Sequence, residues 1–240
     1  MTGQMSDQVL YKGEAYPLVV VSGEGLFTPG DFGLNPYFTC TACWRGYLMW
    51  HKCENGELVL DGMSVSNKDP VEINGVMPTQ PKELFKYMYE GLSIKTKFTG
   101  SIMIAKDFIQ SMYVHMGFQS PETYRTVIRL EVQYGNITRE DDLSMSMESR
   151  RKKGEFGPLA PESRKEGDVA KWIERRFSLD RILAGILTSS RTEAPMKRFF
   201  GHNDPSTIAD SYCPACAVCQ FPKLLSTSCS RLRIVSTSSS

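Results

Sequence analysis

The chain has 240 residues, of which 41% are hydrophobic and 23% are charged, and its formal net charge is +1. This length fits one globular domain with appendages, and the near-neutral charge argues against nucleic acid or an anionic membrane as a partner. No apolar run has the length of a transmembrane helix, and the first residues lack the pattern of a signal peptide, so we expect a soluble, cytoplasmic protein.

The first predicted elements are short strands. Residues 8–21 predict two strands around a turn at Lys12-Gly13-Glu14. Residues 22–36 contain four glycines and two prolines, which predicts an irregular loop.

Residues 40–65 predict a β-hairpin. Asn55-Gly56 is the strongest two-residue turn signal, because a type I′ turn needs positive φ at both central positions. That turn pairs His51 with Leu60 and Trp50 with Asp61. Since side chains alternate between faces, we expect one face to point to the core, made of Tyr47, Met49, His51, Cys53, Leu58 and Leu60.

The pattern after the hairpin is mostly that of strands. Residues 82–92 place apolar side chains at helical spacing and predict a short helix, whereas residues 98–105 and 127–134 alternate and predict strands. We therefore predict that residues 1–138 form a mainly β domain with a little helix. Its antiparallel hairpins form one sheet or an open barrel, and a helical extension follows at the C-terminal side.

Beyond residue 138 the composition changes. Residues 139–168 carry blocks of charge and almost no large apolar residue, which predicts a flexible linker. Their basic run, 150–153, is either a solvated charge block or a localisation or anion-binding patch. Residues 169–190 predict an amphipathic helix that either packs on the sheet or binds a partner, and residues 191–240 predict a largely disordered tail.

Four of the seven cysteines lie in that tail. Cys213, Cys216 and Cys219 follow one another at Cys-x2-Cys spacing, and Cys229 comes ten residues later. Three or four thiolates with this spacing suit tetrahedral zinc, with His202 as a further candidate ligand. The alternative is a disordered tail of reactive thiols, and we predict no cofactor other than zinc.

The catalytic candidates are few. Cys40 and Cys43 form a Cys-x2-Cys pair, but they precede a strand, whereas a redox pair of the thioredoxin type stands at the start of a helix. A nucleophilic site would pair Cys43 or Cys53 with His51 or His115, and the leading combination is His115 with Cys43 or His51. Histidines in the core are the alternative for both. The sequence contains no phosphate loop, dinucleotide fingerprint or nucleophile elbow.

Two phrases carry a resemblance to a known family. Residues 41–47, the TACWRGY segment, open the hairpin, and residues 113–118, the YVHMGF segment, follow a strand of the pattern Thr-Gly-x-φ-x-φ (φ, apolar) at 99–104. With these phrases the chain resembles a family of small uncharacterised bacterial proteins, and the resemblance covers roughly residues 10–136. The resemblance implies no activity and no catalytic residue. It implies a shared surface made of Trp44, Arg45, Tyr47, Tyr113 and His115.

Aromatic and arginine side chains of this kind are favoured at recognition sites. We therefore predict a non-enzymatic module that binds a protein or a small-molecule ligand through that surface. The alternatives are a small-molecule enzyme that uses His115 with Cys43 or His51, and a protein with a zinc-binding tail.

Overall fold

The computed structural model describes residues 2–81, 84–155 and 163–179. The predicted tail, with the predicted zinc ligands Cys213, Cys216, Cys219 and Cys229, lies outside these residues. No helix in the described ranges is long and apolar enough to cross a membrane.

The described residues form eight strands and two α-helices. The strands are β1 (Gln8–Tyr11), β2 (Glu14–Glu24), β3 (Tyr47–Glu54), β4 (Glu57–Val65), β5 (Tyr87–Lys95), β6 (Thr99–Phe108), β7 (Tyr124–Gln133) and β8 (Asn136–Asp142). The helices are α1 (Ser144–Lys153) and α2 (Glu166–Phe177).

Seven strands form a closed barrel. Their order is β3–β1–β2–β6–β7–β8–β4, and pairing of β3 with β4 closes the ring, while β5 adds to β4 outside it. The neighbouring strands are antiparallel except β1 and β3. The predicted mainly β fold class is confirmed, and the barrel is closed because β1, from the first hairpin, inserts between β2 and β3.

The predicted hairpin forms at Asn55-Gly56, where φ is 52° and 78°. β3 and β4 follow the predicted register as far as His51. An extra residue, Asp61, then bulges from β4, so that Trp50 lies opposite Gly62. The predicted core face is buried at four of its six positions, which are Met49, His51, Leu58 and Leu60.

The predicted helix over residues 82–92 is wrong, because strand β5 begins at Tyr87. Tyr87 and Tyr89 are buried, and the hydroxyl of Tyr89 donates to the carbonyl of Val71 at 2.6 Å. Over so short a stretch the spacing of the apolar residues fits both the helical period and the two-residue period of a strand. Pairing with β4 decides for the strand.

Residues 139–155 differ from the predicted linker, because they complete β8 and form α1. Met147 of α1 is fully buried against a cluster on β2, β6 and β7. Arg150 Nε donates to Glu122 Oε1 at 3.0 Å, and Arg151 Nη1 donates to the carbonyls of Glu122 and Tyr124. One apolar anchor and these polar contacts dock the charged segment, which its composition does not reveal.

The main core lies inside the barrel. It consists of apolar side chains from five strands and from the residue before β6, namely Val9, Tyr11, Tyr16, Leu18, Leu58, Phe98, Ile102, Ile104, Leu130 and Val132. A closed ring of this size holds such side chains as a packed interior rather than a channel.

Helix α2 covers part of the predicted helix 169–190, starting three residues earlier; the remainder from residue 180 lies outside the described residues. Acidic residues lie in its first turn and Arg175 and Arg176 in its last, as the helix dipole favours. Ser178 then turns the chain to extended backbone, with φ −99° and ψ 138°. The chain therefore leaves the helix in a conformation suited to strand-like pairing.

Candidate functional site

The TACWRGY and YVHMGF segments lie side by side, joined by Gln4. The backbone N–H of Gln4 donates to Gly117 O at 2.9 Å. Its side-chain amide donates to Thr41 O at 2.8 Å and accepts from the backbone N–H of Trp44 at 3.0 Å. One buried glutamine therefore holds together two segments that lie about 70 residues apart in the sequence.

Arg45 fixes the TACWRGY segment to the barrel. Its two terminal nitrogens each donate to a different carboxylate oxygen of Asp7 at 2.9 Å, and Asp7 Oδ1 also accepts from the N–H of Met49 at 2.9 Å. The guanidinium lies over the rings of Tyr47, at 4.6 Å, and Phe118, at 5.2 Å. Bidentate pairing and ring stacking give this arginine one defined position.

Tyr113 and His115 extend the same surface. The hydroxyl of Tyr113 accepts from the N–H of Gly3 at 2.9 Å. His115 is exposed, and its ring meets the Tyr113 ring edge to face at 4.8 Å. The five residues of the predicted surface therefore lie on two adjoining segments, but Arg45 is engaged in holding the fold.

The end of α2 lies across the YVHMGF segment. The N–H of Phe118 donates to Arg176 O at 2.7 Å, and Arg176 Nε donates to Met116 O at 3.2 Å. Gly117, with φ +73°, permits the close approach, because a Cβ there would lie 2.2 Å from Arg176 O. Backbone thus meets backbone where a side chain has no room.

The last residue of α2 and the residues after it make two further contacts with the rest of the molecule. The ring of Phe177 stacks on the indole of Trp44, with centroids 4.7 Å apart and planes at 29°. The N–H of Val21 donates to Leu179 O at 2.8 Å, on a part of β2 beyond Pro17, where pairing with β1 ends. One main-chain hydrogen bond thus joins the segment to β2, which is the kind of contact that peptide ligands make in β-augmentation.

We call this surface the motif groove. Its members contact residues 176–179 by backbone hydrogen bonds, by ring stacking or by close approach; they are Val21, Trp44, Met116, Gly117 and Phe118.

The three catalytic candidates do not form hydrogen bonds with one another. His51 is buried within the barrel wall, and both of its ring nitrogens lack a partner among the described residues. Cys43 lies in a separate cluster with Cys40 and donates to Tyr47 O at 3.3 Å. His115 lies exposed on the YVHMGF segment. The enzyme alternative needs a nucleophile and a base within hydrogen-bond reach of each other. These three groups do not provide such a pair.

Burial also shifts the pKa values of the buried histidine and thiols in the directions that disfavour nucleophilic chemistry. Burial lowers the pKa of His51 from 6.5 to about 4, although the nearby Asp7 carboxylate acts in the opposite direction. Burial raises the pKa of Cys43 to about 11 and that of Cys53 to about 12. Both thiols are therefore protonated at neutral pH, where only the thiolate attacks.

Within the described ranges, no group of three or more His, Cys, Asp or Glu side chains is placed to hold a metal ion. The zinc prediction concerns Cys213, Cys216, Cys219 and Cys229, which lie outside those ranges. It stays a prediction.

Compared with protein-family models, with curated proteins and with solved structures, the chain matches none of them.

Sequence reasoning missed several groups of the site. Gln4 and Asp7 lie in a polar N-terminal stretch without periodicity, and their partners are distant in sequence. Gly117 lies inside the YVHMGF phrase, and a glycine between bulky residues is a signal of close backbone approach. The role of residues 176–179 had a partial signal, since their helix was predicted either to pack or to bind a partner.

Proposed function

We propose that this protein is a peptide-binding module, and that the motif groove is its binding site. The observation that carries the proposal is the set of backbone hydrogen bonds that Val21 and Phe118 donate to residues 179 and 176. The chain's own segment occupies the groove as a ligand would.

The contacts divide as they do in known peptide-recognition modes. Main-chain hydrogen bonds at a strand edge supply affinity that tolerates changes of sequence. An aromatic anchor supplies selectivity, and here Trp44 receives the ring of Phe177. Trp44 remains 39% exposed beside that ring, so an incoming ligand reaches it from solvent.

The placement of the catalytic candidates supports a binding role over catalysis. His51 and Cys43 are buried in different places, Cys43 directly before Trp44 in a cluster with Cys40, and the exposed His115 contacts the ring of Tyr113. We further propose that the groove is what the chain shares with proteins that carry both the TACWRGY and YVHMGF phrases.

The cysteines support a proposed cytoplasmic location. Cys40, Cys43 and Cys53 are free thiols, and structural thiols of this kind are typical of reducing compartments.

A labelled peptide tests the proposed function. The probe is a fluorescent peptide of residues 163–179, and the receptor is the full-length chain carrying Phe177→Ala, which weakens the segment that occupies the groove. We expect anisotropy to show that the peptide binds this variant and binds the wild-type chain at least about tenfold more weakly, because there the linked segment competes.

Two further variants locate the binding. Adding Trp44→Ala to Phe177→Ala removes the aromatic anchor and should abolish peptide binding. Adding Phe38→Ala instead is the matched control, because Phe38 is an exposed aromatic residue of the preceding loop, at 47% exposure. Failure of the peptide to bind the Phe177→Ala chain, or equal binding with and without Trp44, would contradict the proposal.

A further inference from the structure

Arg45 and Arg176 lie in the same site, but their charges are compensated differently. Arg45 is paired with Asp7 through two hydrogen bonds. Arg176 is 5% exposed, and its Nη2 is buried without a hydrogen-bond partner among the described residues. Its one side-chain hydrogen bond there is the 3.2 Å contact from Nε to Met116 O.

Burial lowers the pKa of Arg176, and no carboxylate of the described residues offsets it. A buried charge without a counter-charge, and a buried donor without an acceptor, both disfavour the docked state. The chain's own segment therefore fits the groove through its backbone and through Phe177, but poorly through Arg176.

We propose that the motif groove is built for an external peptide that carries an uncharged, unbranched side chain at the place of Arg176. This inference rests on the proposed function. The chain's own segment is then a weak occupant that such a partner displaces.

The contacts define the rest of the partner. It presents a backbone carbonyl to the N–H of Phe118 at the end of a helix, and an aromatic ring to Trp44 at the next residue. Two residues further on, an extended backbone presents a carbonyl to the N–H of Val21. The spacing is that of residues 176, 177 and 179 in the occupied groove.

Methionine is the side chain that tests this preference. It is unbranched and reaches about as far as the Nε of arginine, so it keeps the apolar stem, and it carries no charge. It gives up the hydrogen bond to Met116 O, but it also removes the unpartnered Nη2 and the buried charge. Because an unpaired buried charge costs more than one hydrogen bond returns, methionine should bind more tightly.

Three fluorescent peptides of residues 163–179 are titrated against the full-length Phe177→Ala chain. One has the native sequence, one carries Arg176→Met and one carries Arg175→Met. Arg175 is exposed, so its replacement removes the same net charge without relieving the buried group. We expect the Arg176→Met peptide to bind about tenfold more tightly than the native one, and the Arg175→Met peptide to bind like the native one.

Equal or weaker binding of the Arg176→Met peptide would overturn the inference, as would an equal gain from Arg175→Met, which would make net charge the cause. Both results leave the proposed function standing, because the native peptide still binds. If none of the three peptides binds, the proposed function itself fails.

A second arm uses the full-length chain with Arg176→Met and native Phe177. Here the improved segment is linked to the groove, so it should compete better. We expect the native peptide to bind this variant more weakly than it binds wild type. Stronger binding would mean that Arg176 helps to hold the segment, and it would overturn the inference.

Discussion

The indole of Trp44 and the ring of Phe177 lie stacked 4.7 Å apart, although 132 residues of chain separate them. Phe177 is the last residue of α2, and the carbonyls of Arg176 and Leu179 accept hydrogen bonds from Phe118, between β6 and β7, and from Val21 of β2. The stack therefore marks the point where the helix ends and the chain becomes extended at Ser178.

Replacing Gly117 with alanine should close the groove. The new Cβ would lie 2.2 Å from Arg176 O, so neither the linked segment nor a free peptide can approach. Gly33→Ala is the matched control, because Gly33 has the same φ of +73° and open space around it. In the Phe177→Ala background, anisotropy should show peptide binding with Gly33→Ala and none with Gly117→Ala. Equal binding by both would contradict the close backbone contact.

Replacing Asp7 with asparagine should destabilise the fold. It leaves the guanidinium of Arg45 without its counter-charge in a largely buried site, which costs about 3 kcal/mol of unfolding free energy. Lys106→Ala breaks the exposed pair with Glu14 and should leave the urea midpoint unchanged. A loss no larger for Asp7→Asn than for Lys106→Ala would show that the buried pair does not hold the TACWRGY segment.

His51 should make the protein less stable in mild acid. Its folded-state pKa is lowered by burial to about 4 from an ordinary value of 6.5. The imidazole of the unfolded state therefore binds a proton below about pH 6.5, whereas that of the folded state binds it only below about pH 4. Stability should fall by about 3 kcal/mol across that window.

Urea unfolding between pH 7.5 and 4 checks this loss. His51→Leu removes the titrating group and should flatten the curve over that range. Met49→Leu, at a neighbouring buried position, should shift the curve without changing its slope. An unchanged slope in His51→Leu would assign the acid sensitivity to other groups.

The thiols of Cys43 and Cys53 should resist alkylation in the native protein. With a pKa of about 11, only about one Cys43 in a thousand is a thiolate at pH 8. Iodoacetamide treatment followed by peptide mass mapping should leave both cysteines unmodified until urea is added. Rapid labelling of Cys43 in the native protein would contradict this prediction and would support a nucleophilic role for Cys43.

The sequence predicts the parts of this fold that depend on local chemistry. Asn55-Gly56 sets the central turn, and alternation marks β6 and β7. It could not show the bulge at Asp61, because the shift depends on pairing with β3 and β5 on either side. It also could not show α1, whose one fully buried anchor, Met147, lies among charged neighbours.

The site was predicted only in part, because some of its residues have a local sequence signal and others do not. Trp44, Tyr113 and His115 are unusual residues in recognisable phrases, so a sequence reading finds them. Gln4 and Asp7 acquire their roles only when the chain folds, because each bonds to residues distant in sequence. Long-range contacts of this kind leave no periodic signal.

Amide hydrogen exchange on the full-length chain tests the central claim most directly. The N–H groups of Val21 and Phe118 donate to residues 179 and 176, so they should exchange slowly in wild type and much faster in the Phe177→Ala variant. The N–H groups of β6, inside the sheet, should be protected equally in both. Protection of Val21 and Phe118 that does not change in Phe177→Ala, or that is absent in wild type, would contradict a groove occupied by the chain's own segment.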